Sequence, residues 1–208
     1  MRRFLISLPI IIILIIAATG IGGYYFNEYW ISRYDSLIER QAGVYDLHPK
    51  LVWSLIYEET YFRTSVTGDA EEVGLMQVTP TVAKQWAKET GLREFRQSTT
   101  QNVRELLIDP ERNIQVGCWY LEKVKAKYRG FPAARAMMLA AYNAGPSRVE
   151  EWTKDTDISK LSEKEFVQRI KISSTKAYVT SILKRFREYP KTLRKIDSEK
   201  LKEKITER

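Results

Sequence analysis

The sequence predicts a mainly α-helical domain preceded by one N-terminal transmembrane helix, and three observations carry that expectation. Apolar residues recur at three- and four-residue spacing along most of the chain. Capping residues, prolines and glycines fall where those runs begin and end, and strand patterns are scarce. Only residues 71–78 have the makings of a short β-hairpin.

The first element is apolar. From Phe4 to Phe26 the chain runs 23 residues without a charge, behind Arg2 and Arg3. As a helix this reaches about 34 Å, enough to cross a hydrocarbon core with some tilt. Residues 1–27 are therefore expected to anchor the chain in the cytoplasmic membrane, and the short N-terminal tail favours an N-in, C-out orientation. Tyr24, Tyr25, Tyr29 and Trp30 suit the membrane interface. A cleaved signal peptide is the competing reading, because Ala18-Thr19-Gly20 loosely fits a small-x-small cleavage site. No cysteine follows the apolar run closely, which excludes lipoprotein processing.

The helical domain is expected over residues 28–189. Tyr34, Leu37, Ile38, Gln41 and Ala42 recur at helical spacing, followed by a turn from Gly43 to His48. His48 reads as a turn or N-cap residue, and Pro49 suits the first position of the next helix. In that helix Leu51, Val52, Leu55, Ile56 and Phe62 form one stripe. Glu59 falls about 80° round a 100°-per-residue wheel, inside the stripe, and Glu58 about 340°, on its edge. A carboxyl group inside an apolar face has to be paired, protonated or exposed at a cleft.

Thr79, Pro80 and Gly91 frame a further helix, and Asp109-Pro110 opens another with Ile114, Gly117, Cys118, Leu121 and Val124 on one face. Residues 132–143 carry alanine, methionine and leucine almost all round, which predicts a central buried helix. Ser162 with Glu165 spells a capping box. Tyr178, Val179, Ile182, Leu183 and Phe186 form a late amphipathic helix stopped by Pro190. Residues 190–208 read as a charged tail.

Composition narrows the chemistry. With 44% apolar and 29% charged residues in 208, the chain has material for one core of ordinary size. Cys118 and His48 are the only residues of their kinds. This excludes an intrachain disulfide, thiolate zinc sites, HExxH and His-rich metal sites, and neither GxxxxGK nor GxGxxG occurs. No metal and no cofactor are expected, so an enzyme of this sequence would work with carboxylates, hydroxyls, amides and backbone. The net charge of +8 favours an anionic partner, but the basic residues are interspersed with acids rather than gathered in one groove, so nucleic acid is not expected. The oligomeric state is left open.

Four blocks then stand in order: Glu59-Thr60-Tyr61-Phe62; Gly74-Leu75-Met76-Gln77 followed by Thr79-Pro80-Thr81 and Ala83; Asp109-Pro110-Glu111 with Asn113, Ile114, Gly117, Tyr120 and Leu121; and Ala141-Tyr142-Asn143-Ala144-Gly145. Tyr178-Val179 closes the pattern. In these blocks, and in the interval of fifteen from Glu59 to Gly74, the chain resembles the lytic transglycosylases of the SLT-domain type, relatives of goose-type lysozyme. The resemblance covers about residues 34–189. It implies a lysozyme-like helical fold and a peptidoglycan glycan strand as substrate, in a bacterial extracytoplasmic space.

The resemblance also implies roles. Glu59 takes that of sole catalytic acid and base; the residue that the wheel had singled out is the same one. Gln77 and Met76 would contact sugar through side-chain amide and backbone, although a loop methionine also fits a gap-filling core residue. Tyr142 would lie with its hydroxyl beside the catalytic carboxyl, and Asn143 would be a substrate or loop-fixing amide, or else a helix C-cap. The block around Asp109 and Asn113 reads as structural.

Two departures stand out. The residue after Glu59, commonly serine in the family, is Thr60, which keeps the hydroxyl. Where many members carry a serine and a Gly-Ala pair, this chain has Gly68-Asp69-Ala70-Glu71-Glu72-Val73, which offers Asp69, Glu71 and Glu72 as possible second carboxylates. The expected product is a 1,6-anhydro-muramoyl end. A lysozyme-type hydrolase, with a loop carboxylate activating water, and a non-catalytic peptidoglycan-binding envelope-assembly module remain as alternatives.

Overall fold

The computed structural model describes residues 2–188, with side chains from residue 9 on. The expected tail over 190–208 and the stop at Pro190 lie outside the described residues. The chain divides into two compact units, one up to Ser36 and one from Leu37 on.

The first unit is built on α1 (Arg2–Ser32), which continues beyond the expected boundary at residue 27 because nothing between Phe26 and Ser32 breaks a helix. Side chains 10–16 are 48–65% exposed, an isoleucine-rich surface with no protein over it. Among the described residues α1 heads the one segment long and apolar enough to cross a membrane. At its end the Arg33 guanidinium lies 3.4 Å from the centre of the Trp30 ring.

The second unit is helical, as predicted. It contains α2 (Asp35–Val44) from Leu37 on, α3 (Pro49–Thr60), α4 (Pro80–Thr90), α5 (Arg93–Gln97), α6 (Thr100–Leu107), α7 (Pro110–Lys127), α8 (Ala134–Ala144), α9 (Pro146–Thr153), α10 (Glu163–Arg169) and α11 (Ser173–Arg187). The start signals act as read. His48 Nδ1 accepts from the Lys50 N–H, Thr79 Oγ1 from Val82 and Asp109 Oδ1 from Arg112, while Ser162 and Glu165 cap each other reciprocally. Helix α8 is central: Ala136 to Ala141 are buried in succession, and it packs on α7, α9, α10 and α11. Its alanines let those neighbours approach closely.

Three expectations are revised. Helix α2 runs through Gly43 to Val44, and the reversal comes at Asp46, whose φ is +50°. Short helices α5, α6 and α9 join the set, although Thr99 caps α6 and Pro146 opens α9. Residues 71–78 do not form a hairpin; isolated antiparallel bridges link Thr67 with Val73 and Val73 with Val78. Glu71 and Gln77 adopt positive φ, which breaks the extended run that a strand needs.

That loop has no sheet to satisfy its backbone, and a side chain of α7 does so instead. Asn113 is fully buried; its Oδ1 accepts from the Met76 N–H at 2.8 Å, and its Nδ2 donates to the carbonyls of Val73 and Leu107 at 2.8 Å each. The approach is possible because position 74 is glycine: a Cβ there would stand 2.4 Å from Asn113 Nδ2, and φ is +74°. Gly117, one helical turn on, leaves room in the same way for the Met76 side chain, whose Sδ would lie 2.5 Å from a Cβ.

Asn113→Ala leaves the buried Met76 N–H and the Leu107 carbonyl without this partner, while the Val73 carbonyl keeps the Val78 N–H, so the folded protein should lose about 3 kcal/mol, measured by urea unfolding in detergent micelles. A loss below about 1 kcal/mol would show that the loop holds its shape without this amide.

Candidate active site

Helix α3 ends sharply at Glu59 and Thr60. Tyr61 caps it in the left-handed region at φ +50°, and Phe62 follows at φ +60° with its ring fully buried against Trp53 and Tyr57. The Thr60 hydroxyl donates to the Leu75 carbonyl at 3.2 Å, tying the helix end to the loop.

The two adjacent glutamates part company here. The Glu58 carboxylate pairs with Arg185 at 2.7 Å and accepts from the Ser181 hydroxyl at 2.6 Å, both on α11. Glu59 is half-buried and accepts one hydrogen bond, from the Tyr178 hydroxyl at 2.6 Å. Burial pushes its carboxyl from 4.5 up to about 7. The Tyr178 bond opposes that shift, and the charges of Glu72 and Glu58 reinforce it; burial is the largest of these effects.

The cleft beside Glu59 has a volume of about 250 Å³ and is lined by Glu59, by Glu72 and Gln77 of the loop, by Tyr120 of α7, and by Tyr142 and Asn143 of α8. A larger cavity of about 680 Å³, lined by residues around His48, Lys125 and Arg135, lies apart from Glu59. Its charges face each other, with Lys125 on Asp46 and Arg135 near Glu163. Volume alone would point there; the perturbed carboxyl points to the smaller cleft.

The structure gathers Glu59, Gln77, Tyr142 and Asn143 round one cleft, while Met76 and the hydroxyl that holds Glu59 differ from the expectation. Tyr142 lines the cleft, yet its hydroxyl donates to the Met76 carbonyl at 2.8 Å, and the hydroxyl that holds Glu59 is that of Tyr178. Met76 is corrected to a core residue: its side chain is fully buried and its backbone N–H and carbonyl are taken by Asn113 and Tyr142. Gln77 reaches the cleft at φ +47°, while its Nε2 donates to the carbonyls of Val66 and Gly74. Asn143 is exposed, with Oδ1 accepting from the Thr175 hydroxyl at 2.7 Å. Sequence reasoning placed Tyr178 in the pattern without assigning it a partner 119 residues away.

A family model described as "Transglycosylase SLT domain" matches residues 36–164. The chain belongs to this family. The soluble lytic murein transglycosylase of Escherichia coli is 30% identical over 159 residues, which cover 76% of this chain and 23% of that protein. The membrane-bound lytic murein transglycosylase C of Histophilus somni is 30% identical over 139 residues, covering 62% of this chain and 36% of that one. A solved structure of an inactive mutant of the lytic transglycosylase Slt from Pseudomonas aeruginosa superposes with a TM-score of 0.68 at 28% identity, over 79% of this chain and 25% of that chain. The chain thus spans about a quarter of the length of the soluble relatives it matches.

In this SLT domain the Glu59 carboxyl should titrate near pH 7 when followed by carbon-13 NMR of the side chain. Replacing Tyr178 by phenylalanine removes the bond that favours the ionised form, so the midpoint should move higher still. A wild-type midpoint near 4.5 would show that burial does not govern this carboxyl.

Proposed function

We propose that this chain is a membrane-tethered lytic transglycosylase that cuts the β-1,4 bond between N-acetylmuramic acid and N-acetylglucosamine in peptidoglycan. The observation that supports it is Glu59: a carboxyl half-buried in the cleft wall, held by Tyr178 and pushed by burial up to about 7, so that a large fraction still carries its proton near neutral pH. Family membership supplies the substrate class.

Glu59 donates its proton to the glycosidic oxygen as the C1–O bond breaks, with the substrate's own N-acetyl group assisting. The resulting Glu59 carboxylate then accepts the proton of the muramoyl C6 hydroxyl as O6 bonds to C1, closing a 1,6-anhydro ring. One protein carboxyl thus serves as acid and base, its proton is returned within one turnover, and no water is consumed. A positioned intramolecular hydroxyl carries a large effective-molarity advantage over solvent. No metal or organic cofactor takes part.

Because the acid must be protonated, kcat/KM should fall as the pH rises through about 7. Glu59→Gln should abolish muropeptide release with the helical circular dichroism unchanged. Glu58→Gln should keep most of the activity, since Glu58 is occupied by Arg185 and Ser181. Fragments should end in 1,6-anhydromuramic acid, lighter by one water (about 18 Da) than hydrolytic products. Mass spectra dominated by reducing ends would reassign the reaction to a hydrolase.

Helix α1 supports a single span with the SLT domain outside the cytoplasmic membrane, N-in and C-out. The protein should remain with membranes through high-salt and carbonate washes. Mature protein beginning near Ile21 in the soluble exported fraction would instead identify a cleaved signal.

A further inference from the structure

The acidic loop that departs from the family pattern brings one of its three carboxylates to the cleft. Asp69 is exposed and absent from the cleft lining, and Glu71 is drawn off to Arg104 at 2.5 Å. Glu72 lines the cleft with Glu59 and Gln77, its Oε2 accepting from the Ala70 N–H at 2.9 Å. The turn is closed from below by the Gly68 N–H, which donates to the Glu72 carbonyl at 2.8 Å.

The seat of this carboxylate depends on the residue at position 68. A Cβ on Gly68 would stand 2.4 Å from Glu72 Oε2 and 3.0 Å from Gln77 Oε1. A side chain at 68 and a carboxylate in this pose therefore exclude each other. Gly68 and Glu72 are thus linked within this loop: the glycine opens the space and Glu72 fills it.

The charge is also uncompensated in the cleft. Among the described residues no lysine or arginine lines it. The groups acting on Glu59 are Tyr178 from α11, Glu58 from its own helix, already paired with Arg185, and Glu72 from the loop, while Tyr142 of α8 lines the same cleft. Glu72 is thus the negative charge that a substrate in this cleft would meet while Glu59 carries its proton.

We propose that Glu72, seated over Gly68, is a second catalytic carboxylate, which stabilises the positive charge that develops at C1 as the glycosidic bond breaks. This rests on the transglycosylase reading of the cleft. The role is electrostatic: Glu72 takes and gives no proton and forms no bond to the sugar. It has a second consequence. Once Glu59 has given up its proton, two carboxylates face the same cleft, and their repulsion makes Glu59 a stronger base toward the C6 hydroxyl.

The test compares muropeptide release by the full chain in detergent for wild type, Glu72→Gln, Gly68→Ala and the double variant, over pH 4–9, with masses of the products. Glutamine keeps the bond to Ala70, and alanine at 68 needs the flexible end of Glu72 to move and the Gln77 side-chain oxygen to give by a few tenths of an ångström. Glu72→Gln should lower kcat by about tenfold to a hundredfold with KM within about twofold, and should shift the alkaline limb to lower pH. Gly68→Ala, which changes no titratable group, should shift both in the same direction, and the double variant should be no worse than Glu72→Gln. Wild-type kcat and an unmoved alkaline limb in Glu72→Gln would overturn the proposal. So would reducing-end products in the wild type that vanish in Glu72→Gln, which would make Glu72 the base for water. A Glu59→Gln variant that stays active would sink the reading of the cleft itself, and this proposal with it.

Discussion

The loop that carries Gln77 and Glu72 hangs on one buried amide. In a helical unit no neighbouring strand is present to take the loop's backbone groups, so Asn113 takes the Met76 N–H and the Val73 and Leu107 carbonyls. The other ties extend from there. Thr60 joins the loop to α3 at Leu75, and Tyr142 joins it to α8 at Met76. Tyr178 then joins α11 to Glu59. Each tie is a single hydrogen bond of modest net worth, but the partners are buried or half-buried, so losing any one leaves a polar group costly to leave unpaired.

The same arrangement sets a conflict between stability and chemistry at Glu59. Its carboxyl is at 4.5 when ordinary and near 7 in the fold, so the native state holds the proton more tightly than the unfolded chain does. This contribution is fully present below pH about 4.5 and is lost as the pH rises through about 7, to a total of about 3 kcal/mol. The fold tolerates that cost at the position where a proton has to be held ready. Glu58, one residue earlier, has Arg185 and Ser181 and serves to fasten α3 to α11. Two like side chains a residue apart thus do unlike things because helical rotation aims them at different neighbours.

Much of the fold was legible because its signals are local. His48-Pro49, Thr79-Pro80, Asp109-Pro110 and Ser162 with Glu165 each place a cap within three residues of the N–H groups it satisfies, and all four act as the sequence implied. The buried character of α8 was written in its composition. Residues 71–78 form bridges but no hairpin, and the sequence does not tell the two apart, because the positive φ of Glu71 and Gln77 has no marker in residues that are not glycine. Helix α5 was missed for a related reason: it has five residues and no side-chain cap, and the ring of Phe95 packs on Trp86 of the preceding helix.

By itself the sequence determined the longer helices, the apolar N-terminal segment, the family and the singular position of Glu59 inside an apolar stripe, all of which depend on residue type and short-range spacing. Tertiary structure alone decided which hydroxyl holds that carboxyl, since Tyr178 and Tyr142 are equally plausible until α11 and α8 are packed. It also decided that Met76 faces the core through the gap left by Gly117, and that Glu72 rather than Asp69 or Glu71 reaches the cleft. Those outcomes turn on directions of side chains at loop positions, and a direction there is set by left-handed backbone angles and by partners tens of residues away, neither of which leaves a local trace in the order of the amino acids.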